Sequence, residues 1–222
     1  GEAIARGWAG SLTMGAGQFC TNPGLVILPD AAADAFAGTA LATLEGAPAQ
    51  TMLADGIAEA YRAGAEAVAA RATPIMTPET HGRNARPGIF RATAAEFMQD
   101  HALGEEVFGP LGLIVTTSSD DEMLQLAHAL QGQLTITLQL EADDTALAGR
   151  LMPVLERKAG RILANGWPTG VEVADAMVHG GPYPASTNFG ATSVGTLAIR
   201  RFLRPVCFQN IPEVLLPEDL RD

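Results

Sequence analysis

The stretch GPLGLIVTTSSDDEMLQLAHAL, Gly109 to Leu130, decides how this chain folds. Its segment Leu111 to Thr117 is apolar and rich in β-branched residues, a pattern typical of a strand buried on both faces. Ser118 and Ser119 follow directly, and either can cap a helix. The apolar residues after them recur at helical spacing and are Met123, Leu126, Ala127 and Leu130. A strand that runs into an amphipathic helix is the βα unit of parallel sheets.

The chain before this unit follows the same order. GLVILP, Gly24 to Pro29, predicts a short strand, and Asp30 opens an alanine-rich helix. The apolar positions of that helix are Ala33, Phe36, Ala40 and Leu44. A long amphipathic helix is expected next, with Thr51 as its cap. One side of this second helix carries Leu53, Ile57, Tyr61, Gly64 and Val68.

The chain after the central unit adds two more strands. QLTITLQL, Gln133 to Leu140, alternates apolar and polar residues and predicts a strand with one buried face. A helix near Asp144 to Lys158, interrupted at Pro153, and a strand at Arg161 to Asn165 are expected after it. This alternation predicts an α/β fold, a mainly parallel twisted sheet with helices on both faces.

Two segments depart from the alternation. Residues 166–195 mix glycine and proline with small polar residues, which predicts a long ordered loop that forms a pocket wall. Near the C-terminus, Pro205 to Asn210 is β-prone. A strand at this place must find a sheet to join, and that sheet can belong to a second copy of the chain.

Composition limits the function classes. The chain has 222 residues, is 47% hydrophobic and carries a formal net charge of −11. So acidic a protein is not expected to bind nucleic acid or anionic lipid. There is no apolar run long enough to span a bilayer and no signal peptide, and Cys20 and Cys207 lie far apart, so we expect reduced thiols and a cytoplasmic protein.

Cys20 lies in the run GAGQFCTNPG, Gly15 to Gly24, where glycines let backbone approach closely. A thiol becomes a nucleophile when backbone N–H groups, helix N-termini or cations favour its thiolate. A tight turn here would also leave the Cys20 N–H free to serve an oxyanion. The residues alone favour a small buried cysteine beside a turn over a nucleophile, since there is no Cys-x-x-Cys, adjacent histidine or metal-ligand cluster.

Three ordered motifs carry a resemblance to a known family. GQFCTNPG resembles the active-site segment of the aldehyde dehydrogenase superfamily, EEVFGPLGLIV (Glu105 to Val115) resembles its Glu-Glu-Phe-Gly-Pro signature, and GRILANGWPTG resembles its later strand and Asn-Gly turn. GQFCTNPGLV, NGWPTGVEV and VHGGPYPAST are most similar to the branch that acts on 2-oxoglutarate semialdehyde. The resemblance covers almost the whole chain.

The resemblance implies roles for particular residues. Cys20 would be the nucleophile that forms a thiohemiacetal and then a thioester, with NADP or NAD as cofactor. Glu106 would hold the hydroxyls of the nicotinamide ribose, and Phe108 would pack beside that ribose. The substrate-binding residues would be Phe19, Thr21, Asn165, Thr169, Gly170 and Val171. His179 is expected to be a loop histidine bonded to backbone, since the family uses no histidine there as general base.

The resemblance also implies what lies outside this chain. The cofactor-binding domain, the general-base Glu and the oxyanion Asn of the family precede its cysteine, and no Gly-x-Gly-x-x-Gly loop occurs here. We therefore expect a catalytic domain at residues 1–198 and an oligomerisation strand and tail at 199–222. The isolated chain is expected to be inactive, to bind no NAD(P) measurably and to form a homo-oligomer, a dimer or tetramer.

Two alternatives from other classes remain. A stand-alone thiol hydrolase would need a base within hydrogen-bond reach of Cys20, and only His179 among the four histidines lies in a glycine-rich loop. A non-catalytic assembly module would need only the sheet and the C-terminal strand. The partner expected from the resemblance is a small aldehyde.

Overall fold

A four-stranded sheet forms the centre of the protein in the computed structural model, which describes residues 1–221. Its four strands are β1 (Leu25–Pro29), β3 (Thr73–Met76), β6 (Gly88–Thr93) and β7 (Leu111–Thr117). They lie in the order β1-β7-β6-β3, with β1 parallel to β7, β7 parallel to β6, and β6 antiparallel to β3. This confirms the predicted α/β class and the predicted central strand.

Strand β7 is buried along its whole length because helices cover both faces of the sheet. Leu113 and Val115 contact one apolar cluster, while Ile114 between them contacts the other. Ile114 and Val115 are fully buried, and each such side chain contributes roughly 1.5 to 3 kcal/mol on transfer from water. The period-2 alternation of one strand thus joins the two halves of the core.

The helices form two layers around this sheet. Helices α1 (Glu2–Thr13) and α2 (Asp30–Leu44) pack on one face through Trp8 and Phe36, whose ring centroids lie 5.4 Å apart. The opposite face is covered by α3 (Asp55–Ala69), α4 (Ala94–Gln99) and α5 (Asp120–Ala129). Ser119 is the residue that caps α5, since its hydroxyl accepts the N–H of Glu122.

Two smaller sheets complete the architecture. Strands β2 (Gln50–Thr51), β4 (Thr80–His81) and β5 (Asn84–Ala85) form an antiparallel sheet. Strands β8 (Gln133–Leu138) and β9 (Ala159–Ala164) pair in parallel, and α5 and α6 (Thr145–Leu155) pack on one of their faces. Strands β8 and β9 pair with each other and not with the four-stranded sheet in the described chain.

Three sequence expectations need correction. Thr51 does not cap α3 but lies in β2, and α3 begins at Asp55. Leu53 is 78% exposed, because it is Met52 whose side chain enters the core. Pro153 does not interrupt α6, which continues to Leu155; a proline this close to a helix end removes only one hydrogen bond near the place where the bonding stops anyway.

The C-terminal segment makes no strand within the described residues. Thr196–Phe202 is a 3-10 helix, and residues 203–212, which include the β-prone Pro205 to Asn210, form neither helix nor strand. The exposed apolar side chains here include Phe202, Leu203, Val206 and Phe208. Asp222, the last residue of the predicted tail, lies outside the described residues.

The backbone of Gly17 approaches the backbone of Gly109 and Pro110 very closely. A Cβ on Gly17 would lie 2.2 Å from the carbonyl carbon of Gly109, and Gly17 has a left-handed φ of +67°. Gly109 in turn lies on the ring of Tyr61, where a Cβ would come within 2.2 Å of Cδ2. Because both positions lack side chains, the segment before Cys20 packs directly against the segment after Phe108.

We predict that Gly17→Ala destabilises the protein by about 3 kcal/mol or more, because a left-handed φ and a clash with rigid backbone add together. Gly38→Ala is the matched control, since no atom lies within 4 Å of its Cβ position in α2. The control should instead gain about 0.5 to 1 kcal/mol from helix propensity. Urea unfolding followed by circular dichroism measures both, and equal stability of the two variants would contradict the packing described here.

Candidate active site

Cys20 lies in a tight turn between α1 and β1. The N–H of Asn22 donates to the carbonyl of Phe19 at 3.0 Å and closes the turn. Cys20 is exposed and its thiol is free. Among residues 1–221 the N–H of Cys20 donates to no backbone acceptor, so it is available to a ligand oxygen. The predicted turn is therefore present, and the exposed Cys20 thiol lies on it.

The turn is held from its N-terminal side by two glutamine side chains. The N–H of Ala16, which has a left-handed φ of 57°, donates to Oε1 of Gln50 at 2.7 Å. Oε1 of Gln18 accepts the N–H of Leu53 at 2.9 Å, and its Nε2 donates to the carbonyl of Gly15. These bonds connect the segment before Cys20 to the chain that leads into α3.

His179 is the side chain that contacts the thiol. Its Nε2 lies 3.2 Å from Sγ of Cys20, although the two residues are 159 positions apart. The expectation that the His179 ring bonds to backbone is wrong, because its backbone atoms hold the loop instead. The N–H of His179 donates to Oγ1 of Thr192 at 2.8 Å, and its carbonyl accepts the N–H of Ser193 at 3.0 Å.

The surroundings of the His179 imidazole favour its uncharged form. Burial lowers its pKa below the ordinary value of 6.5, and the nearby positive charge of Arg161 lowers it further. A neutral imidazole can accept a proton from a thiol at 3.2 Å, whereas an imidazolium cannot. The site thus combines an exposed thiol, a proton acceptor and a free amide.

The carbonyl of Pro168 connects the turn at residues 19–22, which contains Cys20, to β9. It accepts the hydroxyl of Thr21 at 3.0 Å and the Nη2 of Arg161 at 2.6 Å. Thr21, a predicted substrate residue, is buried, so its hydroxyl serves this carbonyl and not a ligand. Nη1 of Arg161 also donates to the carbonyl of Gly170 at 3.0 Å.

The other predicted substrate residues divide into two groups. Thr169 lies beside α1, with its Oγ1 at 2.7 Å from Oγ of Ser11, and Val171 is half-buried on the same loop. Phe19 is exposed, and its ring covers Gly15. Asn165 is separate from this group, since its Oδ1 accepts the N–H of Leu140 at 2.8 Å and its φ of 53° forms the turn after β9.

Glu106 and Phe108, the predicted cofactor residues, precede the Gly109 that packs against Gly17. Glu106 is exposed and Phe108 is half-buried. An exposed carboxylate fits two ribose hydroxyls, because its oxygens accept hydrogen bonds. The hydrogen-bond acceptors of this edge therefore suit the hydroxyls of a nicotinamide ribose. No group of three or more His, Cys, Asp or Glu side chains that could hold a metal ion occurs within residues 1–221.

Arg161 is the site residue that sequence reasoning missed. It is the one charge in the strand AGRILA, and a charge inside an otherwise apolar strand was the signal that could have identified it. His179 was noticed in its glycine-rich loop, but its contact with Cys20 depends on a long-range return of the chain that residue patterns do not encode.

The curated relatives of this chain are semialdehyde dehydrogenases. It is 52% identical to alpha-ketoglutaric semialdehyde dehydrogenase 2 of Azospirillum brasilense and 41% identical to the alpha-ketoglutaric semialdehyde dehydrogenase of Acinetobacter baylyi. Both alignments cover 100% of this chain and 43% of the relative. The chain therefore spans less than half the length of the relatives that it matches. No protein-family model matches it.

Solved structures show the same fold. Betaine aldehyde dehydrogenase of Staphylococcus aureus superposes with a TM-score of 0.72 at 16% identity, covering 90% of this chain and 41% of that one. A second structure of that enzyme holds NAD+. Proline utilization A of Bdellovibrio bacteriovorus superposes with a TM-score of 0.74 at 18% identity, over 93% of this chain and 22% of that one.

The fold is the one seen in aldehyde dehydrogenases, and the curated relatives are members of the same class. The chain belongs to the aldehyde dehydrogenase superfamily. Within that superfamily its curated homologues are alpha-ketoglutaric semialdehyde dehydrogenases. No helix within residues 1–221 has the length and apolar character that crossing a membrane requires.

Proposed function

We propose that this chain carries the nucleophilic part of an NAD(P)-dependent dehydrogenase that oxidises 2-oxoglutarate semialdehyde to the acid. The observation that carries the proposal is the exposed Cys20 thiol, 3.2 Å from the imidazole of His179, in a turn with a free amide. The names of the two curated relatives support the substrate. Two free cysteines fit a reducing compartment such as the cytoplasm.

In the proposed reaction, Cys20 attacks the aldehyde carbon as its thiol proton passes to Nε2 of His179, giving a thiohemiacetal. The N–H of Cys20 stabilises the charge that develops on the former carbonyl oxygen. A nicotinamide held beside Glu106 and Phe108 would supply the acceptor for the hydride that leaves this carbon. Water then adds to the thioester on Cys20, and the carboxylic acid leaves as the thiol is regenerated.

The residues around the thiol divide this work between them. Glu106 would accept the ribose hydroxyls of NADP or NAD, and Phe108 would pack beside that ribose. Phe19, Thr169, Gly170 and Val171 would form the wall that the aldehyde contacts. Thr21 and Asn165 would act on the shape of this wall, because their side chains are bonded to backbone within the protein.

A thiol hydrolase is the second candidate, and the same contact between Cys20 and His179 favours it. Both functions form a thioester on Cys20, but only the dehydrogenase requires a nicotinamide. Release of a carboxylic acid from the Cys20 thioester in the absence of NAD(P) would therefore favour the hydrolase.

We predict that Cys20→Ala abolishes aldehyde oxidation in the enzyme that contains this chain, because the thiohemiacetal cannot form without the thiol. Cys207→Ala is the matched control and should keep most of the activity, since Cys207 is exposed in the tail. NAD(P)H absorbance with 2-oxoglutarate semialdehyde measures both variants. Equal loss in two folded variants would sink the assignment of Cys20.

Glu106→Gln should lower kcat/KM for the cofactor about tenfold or more, because the charge-assisted hydrogen bonds to the ribose, worth roughly 1.5 to 3 kcal/mol, become weaker. The adjacent and also exposed Glu105→Gln is the control and should behave as wild type. Steady-state kinetics at varied NAD and NADP measure the effect. Wild-type kinetics in Glu106→Gln would count against its role.

We also propose that residues 1–198 form a catalytic domain and that the tail from residue 199 mediates homo-oligomer formation. Support comes from the apolar side chains that the tail exposes. Phe202 is 79% exposed, Leu203 66% and Val206 56%. Such side chains need a partner surface, and the extended segment between residues 203 and 212 offers free backbone groups for strand pairing.

The chain is expected to be at least dimeric, and deletion after Arg201 should make it monomeric because the pairing segment is lost. Deletion after Leu216 is the control, since it keeps residues 203–212 and should leave the oligomer intact. Light scattering coupled to size-exclusion chromatography measures the mass of each form. A monomeric full-length chain would contradict the proposal.

A further inference from the structure

We infer that Arg161 is a positioning residue for the Cys20–His179 pair, which it joins to the Pro168 loop through backbone carbonyls. The inference rests on the proposed function of Cys20 and extends it. Arg161 would touch neither substrate nor cofactor. It would set the position and the charge state of the groups that do.

The first argument is the hydrogen-bond geometry. The carbonyl of Pro168 is shared between Nη2 of Arg161 at 2.6 Å and Oγ1 of Thr21 at 3.0 Å. Since Thr21 follows Cys20 directly, one carbonyl separates the guanidinium from the nucleophile turn. The second guanidinium bond, to Gly170, holds the same loop two residues further on. A lysine cannot reproduce this fork, because its ammonium is a single point of charge.

Arg161 also leaves one of its buried hydrogen-bond donors unsatisfied within residues 1–221. Its Nε is buried and has no hydrogen-bond partner among the described residues, and the same holds for Oγ1 of Thr135 and of Thr137. Thr135 is the register partner of Arg161 across β8 and β9. A buried donor without a partner is unfavourable for folding, and the two guanidinium bonds to the carbonyls of Pro168 and Gly170 are the interactions that offset it.

The second argument is electrostatic. The positive charge of Arg161 acts on His179 and, together with burial, opposes protonation of its ring. The acidic residues of the same loop, Glu172 and Asp175, are exposed, and Asp175 is bonded to Thr196. The titratable group bonded to the ring is the Cys20 thiol. The neutral imidazole is the form that accepts the thiol proton, so Arg161 favours the active form at neutral pH.

The sign of the pH effect follows. Without the positive charge, His179 becomes easier to protonate, and the pH below which it is charged rises. The acid limb of kcat/KM, where activity falls as pH decreases, should therefore move to higher pH. In Arg161→Gln we expect this limb to move upward by half a pH unit or more. In Arg161→Lys, which keeps the charge, the limb should stay in place while kcat falls about fivefold from the looser loop.

The test uses the enzyme that contains this chain, with Arg150→Gln as a control that removes an exposed arginine from α6. Two readouts are taken: the pH profile of kcat/KM, and the NMR titration of the His179 ring without substrate or cofactor. The control should match wild type in both. An unchanged His179 titration in folded Arg161→Gln, or identical profiles for the Gln and Lys variants, would overturn the inference.

The outcomes separate this inference from the proposed function. Activity that survives Cys20→Ala would refute the proposed function, whereas a normal titration in Arg161→Gln with inactive Cys20→Ala would refute only the role of Arg161. If Arg161→Gln does not fold, the Lys variant decides alone. Wild-type kcat in Arg161→Lys would then overturn the positioning role.

Discussion

The close approach of Gly17 to Gly109 is the constraint on which the site depends. A Cβ on Gly17 would force the two segments apart, since it would lie 2.2 Å from the carbonyl carbon of Gly109, and a Cβ on Gly109 would lie 2.2 Å from Cδ2 of Tyr61. The Cys20 turn follows the Gly17 segment, and Glu106 and Phe108 precede the Gly109 segment. Backbone-to-backbone contact of this kind has few alternative arrangements, so it fixes the thiol relative to the edge where a ribose would bind.

The second constraint is the carbonyl of Pro168, which couples the loop to the turn from the opposite side. The main sheet carries Cys20 through β1, whereas β9 of the separate two-stranded sheet carries Arg161 and leads into the His179 loop. Neither sheet alone makes the site. The residues of the site come from two packing units, and the relative position of these units sets the geometry of the thiol and the imidazole.

Local patterns predicted most of the fold but not the site. The buried strand at Leu111 to Thr117 and the helix after it follow from periodicity and capping, which are properties of neighbouring residues. The prediction that Thr51 caps α3 was wrong because the side chain of Met52, and not that of Leu53, enters the core. Which of the two is buried depends on tertiary packing. Cys20 was recognisable from its motif. Its contact with His179, and the link from Thr21 through the Pro168 carbonyl to Arg161, join distant parts of the chain and leave no local signal.

The long separation between Cys20 and His179 has a consequence for the life of the protein before it is folded. The imidazole that contacts the thiol lies 159 residues later in the sequence. Contacts of such sequence separation form only when the chain between them has been ordered, since closing so long a loop is entropically costly. During synthesis, therefore, the cysteine has no imidazole beside it. The contact between the thiol and the imidazole is therefore a property of the folded chain alone.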